Sequence, residues 1–237
     1  MATNEELTQM YQAVRGRVLD MGRSLNAEQA VTMSPCCPEW SVKGLFAHLA
    51  GVPVDVLEGN IAEAATAPWA DAHLARRAHD SLAQILDELE ATTEQMDGLL
   101  NAMASDIDPR FFFDAWTHEW DIRQALDLEA VPDIAIPQAV LPKLVEMLGE
   151  SNADHPAITL VVDAPSGEQR HHLGSGESTG ELTVSLFELC RVSVGRRSRA
   201  QISSLGPLAN PDQLVYFTAA PVDIVDPVLA AGSLETL

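Results

Sequence analysis

The stretch RFFFDAWTHEWDIRQALDL, residues 110–128, decides how this chain is read. It is free of proline, and Ile122 and Leu126 continue helical rows one and two turns beyond His118, so the spacing predicts a helix. Asp114 and His118 stand four apart, which on a helix sets a carboxylate and an imidazole on one face. Such a pair either forms a local ion pair or supplies two ligands of a divalent ion. A catalytic zinc-type site takes three protein ligands and keeps a position open, so a third must come from another element. Asp121, one turn after His118, either accepts a hydrogen bond from the ring and orients it, or pairs with Arg123. Glu119 points to another face and is expected in solvent. Most of Phe111, Phe112, Phe113, Trp116 and Trp120 is expected in the core.

Working toward the N-terminus, residues 71–103 carry Leu74, Ala78, Leu82, Ile85, Leu89 and Met96 at helical spacing, which predicts one long helix with an acidic outer face, followed by a turn over 105–109. Before it, Ser41 can cap a helix whose stripe is Leu45, Leu49 and Val52, with His48 beside that stripe and directed inward. Gly51 and Pro53 should weaken or break this helix, leaving a second piece toward Ala65. Residues 26–39, with Pro35 and Pro38, are irregular, and Leu7, Met10, Tyr11, Val14, Val18 and Met21 mark a first helix from Asn4 to about Leu25. Four amphipathic helices describe a bundle, and bundles build metal sites from inward side chains of facing helices. His48 is therefore the candidate third ligand; its bland alternative is a hydrogen-bonded core histidine.

After Leu128 the pattern changes. A proline-bearing link holds Val131, Pro132 and Pro137, and Gln138–Leu148 reads as a short helix. Ala157–Asp163 is a β-rich run, Pro165-Ser166-Gly167 a hairpin turn and 168–173 a returning strand. Residues 174–180 read as loop, and Leu182, Leu186, Leu189 and Val192 as a helix ending at Gly195. The boundary lies within 129–155, and we divide the chain into a helical domain, 1–135, and an α+β domain, 136–237. Arg191, Arg196, Arg197 and Arg199 form the dense basic cluster of this second part, either solvated surface charge or a hold for an anionic group. His171 and His172 are neighbours on a strand, point to opposite faces and are discounted as a metal pair.

The 237 residues carry 14 basic and 35 acidic side chains, a net charge of −21 that argues against nucleic acid and anionic membranes as partners. Three cysteines, two of them adjacent (Cys36 and Cys37), and an acidic N-terminus without a signal pattern lead us to expect a cytoplasmic protein with structural or loop thiols. Phosphate cradles, dinucleotide fingerprints and serine elbows are absent from the sequence.

Two segments carry a resemblance. Cys37-Pro38-Glu39-Trp40-Ser41-Val42-Lys43 with Ala47-His48-Leu49-Ala50-Gly51, and then Phe113-Asp114-Ala115-Trp116-Thr117-His118-Glu119-Trp120-Asp121-Ile122-Arg123, resemble in order and separation the signatures of the mycothiol-dependent maleylpyruvate isomerase family, a branch of the DinB-like metal-binding bundles. The resemblance implies a DinB-like four-helix bundle followed by a smaller sterol-carrier-like α+β domain. It implies a divalent ion, usually zinc, on His48, Asp114 and His118, with mycothiol as thiol cosubstrate and a small electrophile as substrate. Where the isomerase has a glutamate ligand, this chain has the shorter Asp114. Gly195-Arg196 resembles a family pair whose arginine would hold a substrate carboxylate. S-transfer, cis-trans isomerisation, hydrolysis by activated water and a noncatalytic binding role all remain open at this point.

Overall fold

The fold was analysed in a computed structural model that describes residues 3–103, 108–130 and 133–215. The chain divides into two compact units, Met1–Glu129 and Ala130–Leu237.

The first unit is helical. Thr3 and Glu6 form a capping box that opens α1 (Asn4–Ser24), and its stripe Leu7, Tyr11, Val14, Val18 and Met21 is buried. A single turn, α2 (Ala27–Ala30), leads into a loop pinned by a bridge between Met33 and Ser41. Ser41 then caps α3 (Val42–Glu58), its side chain accepting from the Gly44 amide at 3.2 Å. Contrary to expectation, α3 runs unbroken through Gly51 and Pro53 and stops at Gly59, whose φ of 77° suits a left-handed helix cap. Burial of Leu45, Phe46, Leu49 and Val52 before Pro53 offsets the one backbone hydrogen bond the proline removes.

The long third helix of the sequence reading is instead three helices, α4 (Ala67–Arg76), α5 (Leu82–Ala91) and α6 (Thr93–Ala102). Ser81 and Gln84 make a capping box that starts α5 afresh, and Thr92 turns its hydroxyl back onto the Leu89 carbonyl at 2.7 Å. The apolar spacing ran across both breaks because α4 packs on α3, α5 on α1 and α3, and α6 on α1, so every piece needs an inward stripe. α7 (Arg110–Ala125) closes the bundle against α1 and α3. Most of the turn expected over 105–109 lies outside the described residues.

In the second unit α8 (Ala135–Ser151) is longer than the expected 138–148. Pro137 sits in its first turn, where an amide has no helical partner, so the proline belongs to the helix rather than to the link. Val131 and Pro132 of that link lie outside the described residues. β1 (Ile158–Asp163) is the central strand of a three-stranded sheet, antiparallel to β2 (Gln169–Leu173) and parallel to β3 (Glu181–Ser185). β3 was read as the start of a helix because Leu182 and Leu186 stand four apart. In fact Leu182 and Val184 alternate inward as on a strand, and Ser185 caps α9 (Leu186–Ser193) by accepting from the Glu188 amide. α9 packs on β1, β3 and α8, and α8 on β2. The tail left untyped by sequence holds α10 (Arg199–Ser204) and α11 (Pro211–Leu214); 216–221 lie outside the described residues.

The architecture is thus a helical bundle followed by a smaller α+β unit. Among the described residues no helix is long and apolar enough to cross a membrane.

Candidate metal centre

Helical spacing sets Asp114, His118 and Asp121 on one face of α7, and packing of α3 against α7 brings His48 to them. His48 Nε2 lies 3.3 Å from Asp114 Oδ2, and His118 Nε2 lies 3.6 Å from Asp114 Oδ1. The imidazoles are 3% and 5% exposed, while the Asp114 side chain is 39% exposed and keeps the site open on one side. The indole of Trp40, just before the cap of α3, covers both rings, with centroids 5.2 Å from His48 and 5.8 Å from His118.

The far nitrogens define what faces the centre. His118 Nδ1 is 3.0 Å from Oδ2 of Asp121, which is fully buried. A carboxylate only accepts, so Nδ1 carries a proton, and Nε2, on the side of Asp114, is the nitrogen from which a metal would displace one. Burial opposes a charge on His118, but Asp114 first, then Asp121, outweigh it and lift the imidazole to about 10. The same excess of negative charge attracts a divalent cation.

His48, Asp114 and His118 offer one ligand atom each, all within 4.8 Å of one another. Donors on a tetrahedral zinc with bonds of ~2.0–2.1 Å stand about 3.3 Å apart, close to the two separations found here. Two imidazoles and a carboxylate also suit the chemistry of such an ion. The residues present therefore fit a divalent metal.

A second group, Cys37, His118 and Asp121, meets the same distance limit. The sequence offered no partner for Cys37, yet its Sγ comes to 3.7 Å from Asp121 Oδ2. Here the His118–Asp121 hydrogen bond already occupies the nitrogen an ion would need, and the first group is the better cation site.

Sequence reasoning missed a chain of residues behind His48. His73 of α4 is fully buried and places Nδ1 3.1 Å from His48 Nδ1. Its Nε2 is 2.9 Å from Oδ2 of Asp55, whose two oxygens are gripped by the Arg76 guanidinium, each at 2.9 Å. Burial pushes His73 down to about 4, so it stays neutral. For Asp55 burial acts upward, but its bonds to Arg76 and His73 hold it below the usual carboxylate value. A signal for this chain lay in α3 itself, where His48, Gly51 and Asp55 fall at i, i+3 and i+7. A Cβ on Gly51 would stand 2.3 Å from His73 Cγ, so only glycine lets that ring cross the helix.

Glu119, expected in solvent, is 1% exposed and bound by Arg17 at 2.8 Å and Arg123 at 3.0 Å. Of the two readings of Asp121, the structure shows its bond to His118, while Arg123 goes to Glu119. Phe112, Phe113, Trp116 and Trp120 are core residues, as their apolar surface demands. In the second unit Arg191, Arg196 and Arg197 are buried rather than solvated. Gly195, with φ of 72°, turns the chain after α9; Arg196 donates to the Val194 carbonyl at 2.7 Å, and Arg197 grips Glu188. Arg199 is an exposed partner of Asp212.

With this geometry in hand, comparison with known proteins is informative. Residues 11–123 match the family model described as the mycothiol maleylpyruvate isomerase N-terminal domain. No curated protein sequence matches the chain. Among solved structures, the crystal structure of the mycothiol-dependent maleylpyruvate isomerase is similar at 17% identity and a TM-score of 0.55. A point mutant of that enzyme is similar at 16% and 0.54, and in each case 82% of this chain and 90% of the other are covered. At such identity the structural likeness speaks for the fold alone.

Proposed function

We propose, from the match of residues 11–123 to the N-terminal domain of the mycothiol-dependent maleylpyruvate isomerase family, a metal-dependent enzyme that uses a low-molecular-weight thiol, mycothiol, on a small electrophile by S-transfer or cis-trans isomerisation. The observation that carries this reading is the convergence of His48 Nε2, Asp114 and His118 Nε2, three electron-pair donors, beside an open edge. A zinc-type ion held there supplies a Lewis-acid position at which a thiol loses its proton near neutral pH.

The chain's own residues have the following roles in this reading. His48, Asp114 and His118 hold the ion, and Asp121 keeps the proton of His118 on Nδ1. Trp40 shields both imidazoles from water, which strengthens every charge interaction beneath it. A small cavity within the bundle, lined by Tyr11, Leu49, Val52, Phe111 and Asp114, gives the open edge an apolar neighbour. Within the second unit, the resemblance of Gly195-Arg196 supports Arg196 as a hold for an anionic group.

Elemental analysis of wild type beside His48→Ala and His118→Ala tests the centre. Near-stoichiometric divalent metal in wild type and its loss from both folded variants are expected, followed by thiol consumption with a panel of electrophiles. A wild type that stays metal-free after zinc is supplied overturns the reading.

A further inference from the structure

We propose that His73, locked by Asp55 and Arg76, is a positioning residue that holds the proton of His48 on Nδ1 and thereby turns the bare Nε2 lone pair toward the metal position. The inference rests on the metal reading of His48 given above.

Asp55 and His73 are buried, so their donors and acceptors must be matched within the chain, with Arg76 reaching in from the surface. Arg76 can only donate, and it fills both oxygens of Asp55. Asp55 can only accept, so the 2.9 Å approach of His73 Nε2 requires the proton on that nitrogen. The other nitrogen, Nδ1, faces His48. The 3.1 Å approach of the two Nδ1 atoms admits one proton between them, and with a metal on His48 Nε2 that proton belongs to His48 and His73 accepts it. His48 Nε2, 3.3 Å from Asp114, is then the atom that exchanges the proton facing the carboxylate for the metal. Each bond dictates the next, and the order begins at the arginine.

The surroundings are built for it. Gly51 makes the room that the His73 ring occupies, and the Trp69 indole packs on that ring with centroids 4.3 Å apart. His118 is set by a carboxylate directly, through Asp121. His48 is set by a carboxylate through an intervening imidazole, which carries the orienting group across from α4 to α3. Groups that orient a metal-binding histidine are worth about 10–100-fold in metal affinity.

Nitrogen-15 NMR of the imidazoles, in metal-free and zinc-loaded protein, reads the tautomers directly. The expected result is a His73 protonated on Nε2 and bare on Nδ1 in both states, with the His48 proton on Nδ1 when zinc is bound. Chelator competition should show zinc affinity falling about 10–100-fold in His73→Phe, which keeps a ring and removes the acceptor. Asp55→Asn preserves shape and serves if His73→Phe does not fold; it should weaken zinc binding and mix the His73 tautomers. Unchanged zinc affinity in the folded variants overturns the proposal. Zinc uptake with the proton on His73 Nδ1 overturns this inference alone, whereas a wild type that takes up no zinc overturns the metal reading and this inference with it.

Discussion

Gly51 shows how much can hang on a side chain that is not there. In the sequence it was a weak point of a helix; in the fold it is the gap through which His73 reaches His48, and an added Cβ would meet three atoms of His73 at 2.3–2.7 Å. Gly51→Ala improves helix propensity, by itself a gain of about 1 kcal/mol. Displacement of a buried ring that is hydrogen-bonded at both ends should exceed that gain, for a net loss of about 1–2 kcal/mol. Denaturant unfolding beside zinc titration checks this, and stability at or above wild type would show that the ring moves freely. At this scale helical spacing offered His48, Asp114 and His118 as candidates, and the family resemblance singled them out. His73 was not legible, since a lone histidine in an amphipathic stretch has no pattern until α4 lies on α3.

Among elements, α1 and α7 are joined by more than apolar contact. Glu119 of α7 is buried between Arg17 of α1 and Arg123 of its own helix. Removing one partner from a fully buried pair costs ~3–5 kcal/mol; here Arg17 is 22% exposed and water can take over part of its charge. Glu119→Ala should therefore lower unfolding free energy by about 2 kcal/mol while metal content stays at the wild-type level. A loss below about 0.5 kcal/mol would reduce the pair to a surface ion pair. Element boundaries were the least legible feature. The three helices α4, α5 and α6 share one apolar period, and the breaks depend on caps at Ser81 and on the turn at Thr92. A strand of five residues such as β3 is too short for two-residue alternation to stand out from helical spacing.

For the whole molecule the net charge of −21 sets the long-range field. If the proposed role of Arg196 holds, an anionic substrate approaches against this field and is captured at that cation. Arg196→Gln should raise KM several-fold for a carboxylate-bearing electrophile and leave a neutral one within twofold. Equal effects on both would remove the arginine from substrate binding.

The sequence by itself determined the helical bundle and a following α+β unit, and offered His48, Asp114 and His118 as candidates, because periodicity and caps are local properties of a chain. Only the tertiary structure decided which nitrogen of each imidazole faces the centre, that Glu119 is buried, and that Arg76, Asp55 and His73 stand in line behind His48. Those facts depend on hydrogen bonds and burial between residues distant in sequence, and no local pattern encodes them.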